Sequence, residues 1–300
     1  MTIEKTALIT ICGRPNVGKS TLTNALVGEK IAIVSSKPQT TRNRITAIVN
    51  RDGCQLVLMD TPGFHKPRTK LGDYMVNVVK ESIPDVDLVL LLVEPIANIG
   101  PQERELIERI RASGCPCILV INKIDTVEKP ELLAVMAAYS EAYSFDAILP
   151  VSAMRKDGTE TLLQEMERFA QPGPALFPED MDTDQPDRQV CAELVREKLL
   201  RCLDKEIPHG TAVEVTRFSE RENGIIDLDV TIYCEKASHK GIIIGKNGAM
   251  LKKIGESARR DIERFMGTQV FLQTWVKVKE NWRDSDVLLK NFGYGMDRRS

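Results

Sequence analysis

Gly13-Arg14-Pro15-Asn16-Val17-Gly18-Lys19-Ser20 opens directly after the apolar run Thr6-Ala7-Leu8-Ile9-Thr10-Ile11-Cys12. The order is a strand, a turn bounded by glycines, and a helix that begins near Lys19 and runs on through Thr21. In G-x-x-x-x-G-K-S at such a junction, successive backbone N–H groups line a concave turn that wraps phosphate oxygens, helped by the helix N-terminus. Lys19 then reaches the β- and γ-phosphates, and the Ser20 hydroxyl ligates Mg²⁺.

Working outward, strand-like runs alternate with helical patterns up to about residue 170. Strands are expected near 6–12, 45–50, 55–60, 86–94, 117–122 and 147–151, and helices near 18–28, 70–82, 101–113, 130–143 and 159–169. Asp52-Gly53 joins the second and third strands as a hairpin, so one strand is antiparallel. Val86-Asp87-Leu88-Val89-Leu90-Leu91-Leu92-Val93 is almost continuously apolar, the pattern of a strand buried on both faces. This is an α/β, doubly wound sheet, which places ligands at the carboxyl ends of its strands.

The run Gln171-Pro172-Gly173-Pro174, with the acidic stretch that follows Pro178, interrupts the alternation. The expected division is a nucleotide-binding domain over 1–172, a linker over 173–186 and a second domain with a C-terminal tail over 187–300. In the second domain a helix (about 187–205), two strands (about 211–219 and 226–235), two helices (around 240–266) and a strand (about 268–279) indicate a small α+β fold. The formal net charge of −2 conceals an asymmetry: about −5 over residues 1–186 and +3 over 187–300. The seven cysteines show no zinc-type spacing and the three histidines no metal-ligand spacing, which fits reduced thiols in a cytosolic protein. The chain opens without a signal-peptide pattern, and none of its apolar stretches approaches membrane-spanning length.

Four further segments bear on the nucleotide. Asp60-Thr61-Pro62-Gly63 ends the third strand, where Asp60 can hold Mg²⁺ through a water and the Gly63 N–H can sense the γ-phosphate. Asn122-Lys123-Ile124-Asp125 follows the strand Ile118–Ile121. The Asp125 carboxylate can accept from guanine N1–H and the N2 amine. Adenine would leave that charge unpaired, and polar pairing of this kind discriminates by about four to five powers of ten. Asn122 is expected at the N7 edge, tying the loops together, with the Lys123 stem over the ring face. Ser152-Ala153, after the sixth strand, is placed to offer a backbone N–H to guanine O6. In Lys37-Pro38-Gln39-Thr40-Thr41-Arg42, a threonine should complete the Mg²⁺ shell and close over the γ-phosphate. Thr41 is favoured and Thr40 stands beside it. Residues Gly63 to about Gly72 form the second switch. Phe64 stands where many GTPases carry a water-orienting glutamine, and an apolar ring cannot orient water. Slow intrinsic hydrolysis follows, with Asn16 a candidate ligand for an assisting potassium ion.

In order and spacing, GRPNVGKST, KPQTTR, DTPG, NKID and SA resemble translation-factor-class P-loop GTPases of the Era family, whose G domain is a Ras-like P-loop NTPase sheet. Gly241-Ile242-Ile243-Ile244-Gly245-Lys246-Asn247-Gly248 followed by an apolar-spaced helix resembles the I-I-G-x-x-G of a KH RNA-binding domain, with the element order of type II. Such a loop lets a nucleic-acid backbone approach closely and clamps about four single-stranded nucleotides. Ile244, Gly245, Lys246, Asn247, Gly248, Lys252 and Lys253 are the candidate RNA contacts. The resemblance spans nearly the whole chain. It implies a monomeric GTPase that binds GTP/GDP and Mg²⁺ and the 3′ end of 16S ribosomal RNA and assists 30S subunit maturation. It also implies a cytoplasmic protein in peripheral contact with the membrane. Two rivals remain: a membrane-surface regulatory GTPase in cell-cycle control, and an RNA-binding scaffold with a structural nucleotide. Trp275, Trp282, Phe292 and Tyr294 are open to base stacking, although core packing is the commoner fate of aromatics.

Overall fold

The computed structural model describes residues 2–37 and 39–294. Pro38 of the expected switch run and residues 295–300 of the tail lie outside the described residues. The chain forms two compact units: Met1–Ala32, Thr41–Pro67 and Met75–Asp184 in the first, and Ile33–Thr40, Arg68–Tyr74 and Gln185–Ser300 in the second.

The first unit is built on β1 (Lys5–Cys12), α1 (Lys19–Val27), β2 (Ile45–Arg51), β3 (Cys54–Asp60), α2 (Lys70–Glu81), β4 (Leu88–Val93), α3 (Pro101–Ser113), β5 (Cys117–Ile121), α4 (Lys129–Ala142), β6 (Ala147–Pro150) and α5 (Thr159–Glu167). The first turn of α2 belongs to the second unit. The strand order is β2-β3-β1-β4-β5-β6, with β2 antiparallel to β3 and the other neighbours on that path parallel. A two-residue strand, β7 (Gln171–Pro172), pairs antiparallel with the start of β1. Because strand side chains alternate, a strand covered on both faces feeds two cores. In β4, Leu88, Leu90 and Leu92 enter one apolar core, and Val89, Leu91 and Val93 enter the other. In β5, Ile118 and Val120 divide from Cys117, Leu119 and Ile121 in the same way. The order reverses at β1, and its carboxyl end is where a ligand cleft opens in such a sheet.

The stretch read as a linker packs on this unit as far as Asp184. The Ile48 N–H donates to the Asp182 carbonyl at 2.9 Å, and Gln55 accepts from the Leu176 and Phe177 amides at 2.7 and 2.9 Å.

The second unit contains α6 (Asp187–Cys202), β8 (Thr211–Glu220), β9 (Ile226–Cys234), α7 (Ala237–Ile244), α8 (Ala249–Met266), β10 (Val270–Val278) and α9 (Asp286–Asn291). Its sheet runs β10-β9-β8, parallel between β9 and β10 and antiparallel between β8 and β9. Alternate residues of β9 (Ile226, Leu228, Val230, Ile232, Cys234) meet Ile254, Ala258 and Ile262, which repeat every four residues along α8. Ile33 lies in this same core. The turn Trp282–Asp284 and α9 are elements that sequence patterning did not anticipate. Trp282 is fully buried, donates from Nε1 to the Gly210 carbonyl at 2.9 Å, and packs against Phe292 and Tyr294. Trp282 and Tyr294 are buried and Phe292 is half-buried against Trp282, whereas Trp275 is 44% exposed.

Candidate functional site

The loop between β1 and α1 curls through two left-handed residues, Asn16 (φ 66°) and Gly18 (φ 100°). A Cβ on Gly18 would lie 2.3 Å from Asn122 Nδ2, so glycine is required there both by φ and by close approach. Lys19 is buried and its Nζ donates to the carbonyls of Gly13 and Arg14, at 3.2 and 3.0 Å, so the ammonium stands inside the loop's own curve. Burial pulls its pKa down, against the attraction of Asp60.

Ser20 is at the centre of the candidate metal site. Its hydroxyl donates to Asp60 Oδ2 at 2.7 Å and lies 2.8 Å from Thr41 Oγ1. The Thr40 hydroxyl donates to the Lys37 carbonyl at 2.6 Å instead, so Thr41 is the threonine at the cluster. The second carboxylate oxygen of Asp60, Oδ1, is buried without a hydrogen-bond partner. Burial pushes Asp60 up to about 6, opposed by Lys19 and by the Ser20 hydroxyl. Two hydroxyls and a desolvated carboxylate with a spare oxygen form a hard-oxygen donor set that fits Mg²⁺. No group of three or more His, Cys, Asp or Glu among the described residues suits a softer metal.

The base-recognition loops are wired to the phosphate loop. Asn122, almost fully buried, donates from Nδ2 to the Val17 carbonyl at 2.8 Å and accepts the Ala153 N–H on Oδ1 at 3.0 Å. Lys123 (φ 66°) donates from Nζ to the Asn16 carbonyl at 2.7 Å and pairs with Glu94 at 2.5 Å. Ser152 Oγ donates to Asp125 Oδ1 at 2.6 Å, with Arg155 3.7 Å from Oδ2. The Ser152 hydrogen bond, then a backbone N–H and the Arg155 and Lys123 charges, hold Asp125 below the usual carboxylate range. The Ser152 amide donates to the Asp157 carbonyl at 2.9 Å and the Ala153 amide to Asn122 Oδ1 at 3.0 Å, which fixes the loop expected beside guanine O6. One Nδ2–H of Asn122 and its Oδ1 tie the loops together as expected, and the second Nδ2–H is not used by either bond.

Phe64 is buried in the core formed with Leu91, Ile107 and Val76, and its N–H donates to the Gly13 carbonyl at 3.0 Å. The Arg109 guanidinium lies 5.7 Å from its ring centre. Arg14 pairs with Glu103 at 2.6 Å and with Glu94 at 3.4 Å. Glu94 therefore ties the phosphate loop to the base loop, a role not read from the sequence. Its signal was its place, directly after the β4 apolar run at the carboxyl end of the strand.

In the second unit α7 ends at Gly245 (φ 72°, ψ 175°), and Lys246–Gly248 make one turn before α8 starts. A Cβ on Gly245 would meet Met250 at 2.7 Å, whereas one on Gly248 (φ 77°) would meet nothing within 4 Å. Lys246, Asn247, Lys252 and Lys253 are exposed and Ile244 is half-buried, while Ile243 anchors the loop in the core.

Comparison with known proteins matches residues 8–123 to a family model described as 50S ribosome-binding GTPase, and residues 206–283 to the KH domain. The chain is 53% identical over 290 residues to GTPase Era of Ruminiclostridium cellulolyticum, covering 97% of each chain. It is 51% identical to GTPase Era of Clostridioides difficile, over 97% of this chain and 98% of the relative. The chain belongs to the GTPase Era family. Among solved structures, Era in complex with MgGDPNP and nucleotides 1506–1542 of 16S ribosomal RNA superposes with a TM-score of 0.94 at 34% identity, covering 98% of this chain and 100% of that one. A variant of Aquifex aeolicus Era bound to GDP·AlF4⁻ gives the same score and identity, over 97% and 100%. The Era fold is thus present in full: a Ras-like P-loop GTPase unit followed by a KH unit.

Proposed function

We propose that this chain is a GTP-hydrolysing molecular switch that binds 16S ribosomal RNA near its 3′ end and assists maturation of the 30S subunit. The observation that carries the reading is a pairing on one chain: a carboxylate preset for guanine, Asp125 on Ser152, and a glycine-bounded KH loop, Gly245–Gly248. The Era structure that superposes over 98% of this chain held MgGDPNP and the 16S fragment together. The 50S description belongs to a model that ends at residue 123, before the KH unit begins, so it does not bear on which subunit that unit meets.

Residues 13–21, 60–63, 122–125 and 152–153 form the nucleotide site. The loop amides and Lys19 take the phosphates, Lys19 exchanging the Gly13 and Arg14 carbonyls for phosphate oxygens. Ser20, Thr41 and Asp60 would hold Mg²⁺, which when bound would supply positive charge to stabilise the phosphates. Thr41 and the segment after Gly63 report the γ-phosphate by holding or releasing it. Phe64 is locked into the core and positions no water, so this site has slow intrinsic turnover. Asn16 remains the candidate potassium ligand; turnover in KCl against NaCl tests it.

RNA affinity measured with a GTP analogue and with GDP tests the switch; equal affinities would leave a nucleotide-stabilised scaffold. Among the described residues no helix is long and apolar enough to cross a membrane. The peripheral membrane contact implied by the family resemblance is checked by vesicle flotation.

A further inference from the structure

Helix α6 carries three consecutive buried charges, Arg196, Glu197 and Lys198. Consecutive residues on a helix point about 100° apart, so one apolar sheet face cannot satisfy all three. Lys198 pairs with Glu197 at 2.6 Å and with Asp261 of α8. The other two reach the segment Ile33–Thr40, which belongs to the same unit. Glu197 accepts the Val34 N–H at 3.0 Å, and Arg201, itself bonded to Glu197 at 2.9 Å, donates to the Val34 carbonyl at 3.1 Å. Lys37 donates to the Leu203 carbonyl and to Asp204. Arg196 is held by both oxygens of Glu193, at 2.8 and 2.5 Å, and donates to the Gln39 carbonyl at 3.3 Å and to the Thr40 carbonyl. The next residue is Thr41, in the first unit, 2.8 Å from Ser20.

We infer that Arg196 is a positioning residue for the nucleotide reaction: by gripping the Gln39 and Thr40 carbonyls it sets where Thr41 begins. The inference rests on the switch reading above and names its lever. A fully buried guanidinium fixed by a bidentate carboxylate keeps its geometry, whereas a solvated lysine would not. In the segment Arg68–Tyr74, the Lys70 N–H donates to Asp284 Oδ1 at 3.1 Å, the Tyr74 and Tyr294 rings lie 6.4 Å apart, and Lys70 pairs with Asp286 at 2.5 Å through exposed side chains, a kind of pair that contributes little. The carbonyl that Arg196 holds thus lies one peptide bond before the threonine of the candidate Mg²⁺ cluster.

The test uses the full chain as wild type, R196A, R196K and K37A. Each is titrated with GDP and with a non-hydrolysable GTP analogue in Mg²⁺, and amide hydrogen exchange is followed over residues 33–41. R196A should retain GDP affinity and lose about tenfold in analogue affinity, the worth of roughly one charge-assisted hydrogen bond. Its exchange should rise at residues 39–41 and stay unchanged in α8, which separates positioning from general loosening. R196K, able to serve one carbonyl, should fall between; K37A should loosen the segment near residue 37 and leave residues 39–41 protected. Should R196A fail to fold, R196K and K37A carry the test. An unchanged analogue-to-GDP ratio and exchange pattern in folded R196A, or in R196K, overturns the inference. Equal RNA affinity of the wild type with either nucleotide defeats the switch reading, while the analogue-to-GDP ratio still decides the role of Arg196.

Discussion

Two glycine-bounded loops each introduce a helix, yet they are built for opposite conditions. The loop before α1 is enclosed: Gly18 faces Asn122, Lys19 fills the curve, and Asn16 and Val17 lend carbonyls to Lys123 and Asn122. The loop before α8 stands open, with Lys246 and Asn247 exposed and clear space beside Gly248. The first meets a small, highly charged ligand whose shape never varies, so its donors are fixed in advance. The second meets a flexible polyanion, so it offers backbone access and adapts.

The largest expected break in this comparison is at the base. Asp125→Asn should shift preference from guanine to xanthine nucleotides by about four powers of ten, read by competition binding. Unchanged GTP preference would remove Asp125 from base recognition, and RNA binding should be untouched in either case.

Matched alanines sharpen the contrast between the loops. Gly18→Ala drives a Cβ into Asn122, whose amide is pinned on both sides, so nucleotide affinity should fall by more than about a hundredfold. Gly248→Ala meets no neighbour and costs about 1–2 kcal/mol for its left-handed φ alone. A thermal melt gives that cost. Any RNA affinity lost beyond it measures how closely the RNA backbone comes.

Asp60→Asn separates ligand-free stability from ligand response. A carboxyl raised to about 6 binds its proton more tightly folded than unfolded. Stability is therefore surrendered as pH climbs from the ordinary carboxylate value through 6, and the cost is complete above that. At pH 7.5, without Mg²⁺ or nucleotide, the asparagine variant should melt higher by the equivalent of about 1–3 kcal/mol. Calorimetry should also show it losing the further stabilisation that Mg²⁺ and GTP give the wild type.

The smallest effect is at Ser152. Asp125 is held low, so its charge persists below its ordinary pKa and is lost only as pH falls through the depressed value. Ser152→Ala should move that loss to higher pH in a carboxyl NMR titration. An unmoved titration would leave the lowering to the backbone N–H, Arg155 and Lys123.

Much of this was legible in the residues. The alternation of β4 and the Gly18-Lys19-Ser20 junction are local patterns, and local patterns survive into the fold because periodicity dictates which face is buried. Glu94 and Arg196 were not legible. A helix face bearing Arg196-Glu197-Lys198 reads as solvated, and the carbonyl that Arg196 serves lies 156 residues away. Trp282 and α9 escaped because a six-residue helix shows too little period to recognise.

The acidic run that ends at Asp184 lies against β2, an outermost strand of its sheet. The Asp182 carbonyl takes the Ile48 N–H, Asn50 reaches the Glu179 carbonyl, and the Thr183 hydroxyl reaches the Thr46 carbonyl. This tether thus works as a sheath over a strand margin that would otherwise invite pairing with a second molecule. A fragment ending at residue 172 would bare that margin and self-associate, whereas one ending at 184 would stay monodisperse.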